Sequence, residues 1–338
     1  MAKPKIIITN RVHSEVIDLL RSRCDVVSNQ SSKPWSCEQL LGRAKEATGI
    51  MAFMSDCVDS AFLRRCPDLK IIASVLKGFD NFDVDACTEH GVWLTVVPDQ
   101  LTVATAELTI GLMLGISRHI SLGDSYVRRD YMGWRPIFYG RGIENSTVGI
   151  LGMGAIGRAV ATRLKSFGCS MRYFDERPIA SQHAADLNVR FASFNEILGS
   201  SDFLVIALPL NDRTQHLINS DTIEHVKTGC YLINTARGSI VDEQAVAVAL
   251  SIGKLGGYAA DVFEMEDLAR RDRPNCIPPS ILANRQQTLL TPHIGSAEYR
   301  ARLSAETEMA QSILDYLNGR TPRGAINLPV IKVKSIAC

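Results

Sequence analysis

Arg237, Glu266 and His293 stand in the segments Asn-Thr-Ala-Arg-Gly, Val-Phe-Glu-Met-Glu-Asp and Thr-Pro-His-Ile-Gly, 29 and 27 residues apart. A guanidinium grips an anionic group in two-pronged geometry, an imidazole exchanges a proton near neutrality, and a carboxylate beside it orients the ring and raises its basicity. Spacings of about one strand and one crossover let the three segments converge on one crevice at the carboxyl ends of parallel strands, where open α/β sheets bind ligands. Upstream, Thr-Val-Gly-Ile-Leu-Gly-Met-Gly-Ala-Ile-Gly-Arg at 147–158 places Gly152, Gly154 and Gly157 between an apolar strand and a helix start. The first glycine permits a tight turn, the second lets backbone approach a pyrophosphate, and the third allows close helix packing, while helix N-terminal amides face the phosphate charge. Asp175 follows Gly157 by eighteen residues, where an acid accepts hydrogen bonds from ribose hydroxyls and repels a 2′-phosphate. The expected cofactor is NAD. Arg177 keeps some NADP use open, and Asp175 also has a plainer reading as the cap of a surface turn.

Parallel strands have to carry these residues, and the chain supplies them. Apolar runs at 5–9, 49–53, 71–75 and 92–95, with an amphipathic helix at 13–22, alternate as strands and helical crossovers do. After Pro98 the pattern changes to one long helix expected over 102–131, with Ala106, Ile110, Met113, Leu114 and Ser117 at helical spacing, and then to a turn at Gly-Trp-Arg-Pro, 133–136. A second domain therefore begins near residue 100. Its strands are expected at 147–151, 170–174, 203–207, 230–234, 257–261 and 288–291, six in all and enough for a dinucleotide fold. A final amphipathic helix over 296–318 could return to the first domain and make it discontinuous, as 1–100 plus 298–338 around a dinucleotide-binding domain at 101–297.

Composition narrows the class. The chain's 338 residues fit two domains, and 37 basic against 36 acidic side chains leave no footprint of a nucleic-acid binder. Nine cysteines, none in a Cys-x-x-Cys pair, argue against a zinc site or a disulfide framework; no metal is expected. Unpaired thiols among apolar neighbours, such as Cys169 and Cys230, suit a reducing compartment and hence the cytoplasm. No export signal or membrane span is expected, since the longest apolar run falls far short of about 18 residues.

Taken together, Gly152 to Gly157, the Asn-Thr-Ala-Arg-Gly segment, Asp261 with Glu266, and Thr-Pro-His-Ile-Gly resemble the D-isomer-specific 2-hydroxyacid dehydrogenase family over nearly the whole chain. The resemblance implies an α/β fold of two domains, a Rossmann cofactor domain and a discontinuous flavodoxin-like substrate domain, in a homodimer built largely through the cofactor domains. It also implies a catalytic set of Arg237, Glu266 and His293. Lys77, Thr105, Gly152, Gly154, Ala155, Ile156, Gly157, Asp175, Ala207, Leu208, Pro209, Thr235, Ala236, Arg237, Asp261, His293 and Gly295 would line NAD by the same resemblance. Asp261 would contact the nicotinamide carboxamide, although a strand-end Asp also caps turns.

Two departures point to a substrate. The family often has Pro after the catalytic Glu, where this chain has Asp267, and the turn at 75–83, Val-Leu-Lys-Gly-Phe-Asp-Asn-Phe-Asp, installs Lys77 where many relatives carry a small apolar residue. An ammonium that joined Arg237 would suit a small, doubly charged oxyanion. With Met-Ala-Phe-Met at 51–54, Gly-Trp-Arg-Pro-Ile-Phe-Tyr-Gly at 133–140 and Arg302 beyond the His293 segment, the chain is similar to the branch of that family that oxidises phosphite to phosphate with NAD. In that branch Lys77, Gly78, Arg237 and His293 would hold phosphite, Met54 would pack beside it, and Trp134, Tyr139 and Arg302 would lie further out. His293 would be the base for the attacking water. Each has a bland alternative: Lys77 as a solvated loop lysine, Met54 as core, Trp134 and Tyr139 as packing or interface aromatics, Arg302 as a surface charge. The histidines at 13, 90, 119, 183, 216 and 225 read as surface or capping residues, and Asp80, Asn81 and Asp83 as turn formers. Competing expectations are an ordinary 2-hydroxyacid dehydrogenase and a non-catalytic NAD-sensing regulator.

Overall fold

The computed structural model describes residues 3–130, 133–134 and 137–329. Arg135 and Pro136 of the expected turn, Tyr131 at the end of the expected long helix, and Cys338 lie outside them.

Two compact units divide the chain: unit one holds residues 1–101, 268–271 and 298–338, and unit two holds 102–267 and 272–297. In unit one, β1 (Lys5–Ile8), β2 (Asp25–Ser28), β3 (Gly49–Ala52), β4 (Ile71–Ser74) and β5 (Trp93–Thr95) form a parallel sheet in the order β2-β1-β3-β4-β5. Residues of β3 and β4 are buried throughout, which is why those strands read as continuous apolar runs rather than alternating ones. The helix Tyr299–Leu317 completes this unit's core, with Ala305, Met309, Ala310, Ile313 and Leu314 packed among Ile6, Ile8, Val16, Met51 and Ile71. Burying one such large aliphatic side chain stabilises by about 1.5–3 kcal/mol, so together these contacts are comparable with the whole stability of a domain.

Unit two is built on a seven-stranded parallel sheet. Its strands are β6 (Thr147–Leu151), β7 (Ser170–Phe174), β8 (Val189–Phe191), β9 (Phe203–Ile206), β10 (Cys230–Asn234), β11 (Leu255–Ala260) and β12 (Thr288–Leu290), in the order β12-β11-β10-β9-β6-β7-β8. The strand order reverses at β6, so the crevice at its carboxyl end, where Gly152 follows, is the switch point at which doubly wound sheets take their ligand.

The single helix expected over 102–131 is instead two, Thr102–Ser117 and Ile120–Asp130. His119, at φ 54°, turns the chain between them without a glycine or proline to announce it. The first of the pair is buried on most faces rather than along one stripe, because it packs on the sheet and on the helix Ala155–Leu164. A side chain at Gly115 would collide with Leu289, so the glycine is what lets this helix lie against β12. Among the described residues no helix is long and apolar enough to cross a membrane, and no cluster of His, Cys, Asp and Glu could hold a metal ion.

Candidate active site

In unit two the glycine turn is shaped by three separate needs. Gly152 adopts φ 96°, a conformation L side chains avoid, and a Cβ there would meet the Ala207 carbonyl oxygen at 2.5 Å. A Cβ on Gly157 would overlap the Gly152 carbonyl, so the helix Ala155–Leu164 can start this close to β6 only with glycine at that position. Gly154 is different: it is exposed, a Cβ there would meet nothing within 4 Å, and it caps the helix without a side-chain bond. Ala155 and Ile156 beside it are half-buried, and a helix start left open in this way, with first-turn amides that have no intrahelical acceptor, fits a pyrophosphate.

Asp175 is tied to that turn. Its Oδ2 accepts from the Met153 N–H at 2.7 Å and its Oδ1 from the Glu176 N–H at 2.8 Å. The carboxylate thereby stands at the carboxyl end of β7 with lone pairs left for ribose hydroxyls. Across β6, Ala207 donates to Leu151 O at 2.7 Å, and Thr214 Oγ1 donates to Pro209 O at 2.7 Å, which closes the Ala207-Leu208-Pro209 loop on itself. Thr235 Oγ1 meets Thr109 Oγ1 at 2.8 Å, and Thr109 in turn donates to Thr105 O at 2.8 Å. Thr105 and Thr235 thus reach the same strand ends. This donor and acceptor set fits a dinucleotide.

His293 and Glu266 meet: Nδ1 of the ring lies 2.6 Å from Oε2 of the carboxylate, and both side chains are partly exposed. With Nδ1–H donating to Glu266, Nε2 is left as the basic nitrogen. His293 itself sits at φ 54°, held there by its N–H, which donates to Asp261 O at 2.8 Å. The Asp261 side chain fixes the rest of that loop, accepting from Thr291 Oγ1 at 2.6 Å, Ile294 N–H at 2.8 Å and Gly295 N–H at 2.7 Å. Burial, opposed by those hydrogen bonds, raises its carboxyl above the ordinary value. Three of its acceptor positions serve the loop, so its evident work is to hold the His293 segment, with at most one lone pair over for a carboxamide.

Arg237 is placed by backbone contacts. Asn234, fully buried at the end of β10, donates from Nδ2 to Arg237 O at 2.8 Å and accepts from Ala236 N–H at 3.1 Å. Gly238, next in sequence, packs so tightly on Phe263 and Glu264 that any Cβ would overlap their backbone. The Arg237 and Glu266 segments are thus pressed together, an effect of a glycine that sequence reading passed over.

Unit one carries Lys77, Gly78, Met54 and Arg302. Lys77 donates to Pro98 O at 2.6 Å and stands 3.4 Å from the exposed Asp99, so its partly exposed ammonium is tethered near the ends of β4 and β5. Gly78 follows it, half-buried. Met54 is held by Asn81, whose Nδ2 donates to Met54 O at 3.1 Å, and the loop before it by Asp56, which accepts from Thr9 and from Phe53 N–H. Burial pushes the Asp56 carboxyl up to about 6. Arg302 is not a freely solvated surface charge: burial lowers its pKa, with Glu306 opposing.

Trp134 and Tyr139, in unit two, are 85% and 84% exposed. Two histidines read as surface or capping residues prove to be paired. His13 Nδ1 lies 2.7 Å from Glu306 and His216 Nε2 lies 2.6 Å from Glu264, both partners being buried glutamates. Nothing in the local sequence marks either pair, because the partners lie 293 and 48 residues apart.

Known proteins resemble this chain along nearly its whole length. Residues 110–295 match the family described as D-isomer specific 2-hydroxyacid dehydrogenase, NAD binding domain. A glyoxylate reductase of Thermofilum pendens is 34% identical over 99% of this chain and 98% of its own, and one of Aeropyrum pernix is 35% identical over 99% of both. Among solved structures, a Thermus thermophilus protein superposes with a TM-score of 0.85 at 31% identity, covering 96% of this chain and 100% of its own.

Proposed function

The chain belongs to the D-isomer specific 2-hydroxyacid dehydrogenase family, an NAD-dependent oxidoreductase by that membership, and from this premise we propose that its substrate is phosphite, oxidised to phosphate. NAD, when bound, supplies the nicotinamide that accepts hydride. The glycine turn and the helix N-terminus hold the pyrophosphate, and Asp175 accepts from the ribose hydroxyls. Arg237 clamps the anionic substrate, with Lys77 and Gly78 as further donors and Met54 beside them. His293 Nε2 takes a proton from the attacking water as its oxygen bonds to phosphorus, while the phosphorus hydrogen departs as hydride with its electron pair. Glu266 holds the ring in the tautomer that leaves Nε2 free to do so. The observation that carries the oxidoreductase chemistry is the 2.6 Å Glu266–His293 contact; the substrate reading rests on Lys77, a cation tethered at a strand end.

A second reading has its own support. The curated relatives described above are named glyoxylate reductases at 34–35% identity, and they speak more directly for a 2-oxoacid or 2-hydroxyacid substrate than for phosphite. In that reaction His293 exchanges its proton with the substrate's hydroxyl or carbonyl oxygen, and the same Arg237 clamps a carboxylate.

One assay separates the two readings. Purified protein is given NAD with phosphite, NAD with glycolate, D-lactate or D-glycerate, and NADH with glyoxylate, and NADH is followed by absorbance. NADH formation with phosphite and slow turnover of the others supports phosphite; rapid glyoxylate reduction with none on phosphite establishes the second reading. A homodimer is also part of the proposal. It is supported by exposed apolar side chains on one stretch of unit two, Ile120, Val127, Trp134, Ile137 and Tyr139, and is tested by light scattering. A cytoplasmic setting belongs to the same proposal, and a fractionation of producing cells tests it.

A further inference from the structure

We propose that Glu264 is a positioning residue for the Glu266–His293 pair, an inference that rests on the catalytic reading of that pair. Glu264 opens the single 3-10 turn, Glu264–Glu266, on which Glu266 stands. Its carboxylate is buried and fixed at both oxygens: Oε1 accepts from the Glu243 N–H at 3.0 Å and Oε2 lies 2.6 Å from His216 Nε2. The bond to Glu243 is returned, since the Glu264 N–H donates to Glu243 Oε1 at 3.0 Å. On the other side of Glu266, Asp267 Oδ2 accepts from the Ser239 N–H at 2.8 Å. Glu266 is therefore bracketed by two buried carboxylates that tie its turn to residues 239–243, the stretch immediately beyond Arg237 and Gly238.

Two of these anchors reach a third loop. The His216 N–H donates to Ser239 O at 2.8 Å, and His216 holds φ 46°, a left-handed conformation for which its contacts to Ser239 and Glu264 supply the restraint. Burying a carboxylate beside a second carboxylate is costly, and a well-packed apolar pair would stabilise the fold at least as well. What the carboxylates add is direction. A glutamate on a three-residue turn has several free torsions, and the Glu266 carboxylate meets His293 Nδ1 at hydrogen-bond distance only if the turn itself cannot roll. Met265, between the two glutamates, is 38% exposed and gives the turn no apolar anchor of comparable depth.

The test is a double-mutant cycle on the full-length protein. The wild type, Glu264→Gln, Glu266→Gln and the double variant are assayed for kcat, for KM of NAD and for melting temperature, with whichever substrate the assay above identifies. Glu264→Gln keeps an acceptor for the Glu243 N–H and removes the charge opposite His216. The expected result is a fall in kcat of about tenfold with KM for NAD within about twofold, and no further loss when Glu264→Gln is added to Glu266→Gln. Wild-type kcat in Glu264→Gln, or losses that multiply in the double variant, overturns the proposal. His216→Asn, which removes the same pair from its more exposed side, repeats the cycle if Glu264→Gln fails to fold. If Glu266→Gln itself turns over at the wild-type rate, the catalytic reading of the pair fails and takes this inference with it; failure of Glu264→Gln alone leaves that reading standing.

Discussion

The His293 ring presents Nδ1 to Oε2 of Glu266 at 2.6 Å while its own backbone N–H is held by Asp261. Side chain and main chain of the same residue are thus fixed from two different segments. His293→Ala is expected to lower turnover by about 100-fold or more, with the dissociation constant for NAD within a few-fold of the wild type, because loss of a general base typically costs that much. Glu266→Gln should cost less. Near-normal steady-state turnover in His293→Ala would remove the ring from the reaction.

Asp175 and the glycine turn are joined through the Met153 N–H, so the carboxylate is presented at a set height above the helix N-terminus. NAD is expected to be preferred over NADP, and Asp175→Ala to narrow the ratio of kcat/KM values by relieving repulsion of a 2′-phosphate. Equal efficiency with both cofactors in the unmodified protein would contradict this.

Lys77 offers the sharpest handle on the substrate. If phosphite is bound as a dianion, Lys77→Ala should raise its KM at least about tenfold with little change in KM for NAD, and sulfite, an oxyanion without a P–H bond, should compete with phosphite. An unchanged phosphite KM would place Lys77 outside the site.

Glu243 gives a pH signature to the fold. Burial first, then the neighbouring carboxylates of Glu264, Glu266 and Asp267, push its carboxyl up to about 7 from 4.5. The folded state therefore holds a proton that the unfolded chain releases, and stability present below about pH 4.5 is lost as pH rises through about 7. Denaturant unfolding at pH 5 and pH 8 should show Glu243→Gln losing less stability across that interval than the wild type, by about 1–3 kcal/mol. Identical pH slopes would show that Glu243 does not hold that proton.

What could be read from the sequence follows the physics of burial. Strands such as β4 and β9 are buried at every residue, so each is an unbroken apolar run, and glycine turns advertise themselves by composition. The strands β2 and β8 were not legible: both are sheet edges, and Asp25, Arg190 and Phe191 are exposed. The break at His119 was hidden for another reason, since the left-handed turn there, at φ 54°, is made without the glycine or proline that would mark it. At the site, Arg237, Glu266 and His293 were legible because each lies in a distinctive segment at a strand end. The paired Glu243 and Glu264 were not, because a glutamate near a helix start reads as a surface residue until its partner 21 residues away is known. Asp261 was legible as important; that its carboxylate serves the His293 loop could be seen only once that loop's three donors were placed around it.

The helix Tyr299–Leu317 has a consequence for the order in which the molecule can be made. Unit one begins at the N-terminus, yet Met309, Ile313 and Leu314 belong to the same core as Ile6 and Val16. During synthesis the first hundred residues leave the ribosome with that face of β3 and β4 uncovered, and they stay so until some two hundred more have followed. Most of unit two, from 102 to 297, is already out by then and is free to fold first. The end of the chain that emerges earliest is therefore the last to close its core, and a ribosome that stops short of residue 314 releases a nascent N-terminal sheet with an open apolar face, a substrate for chaperones rather than a smaller stable domain.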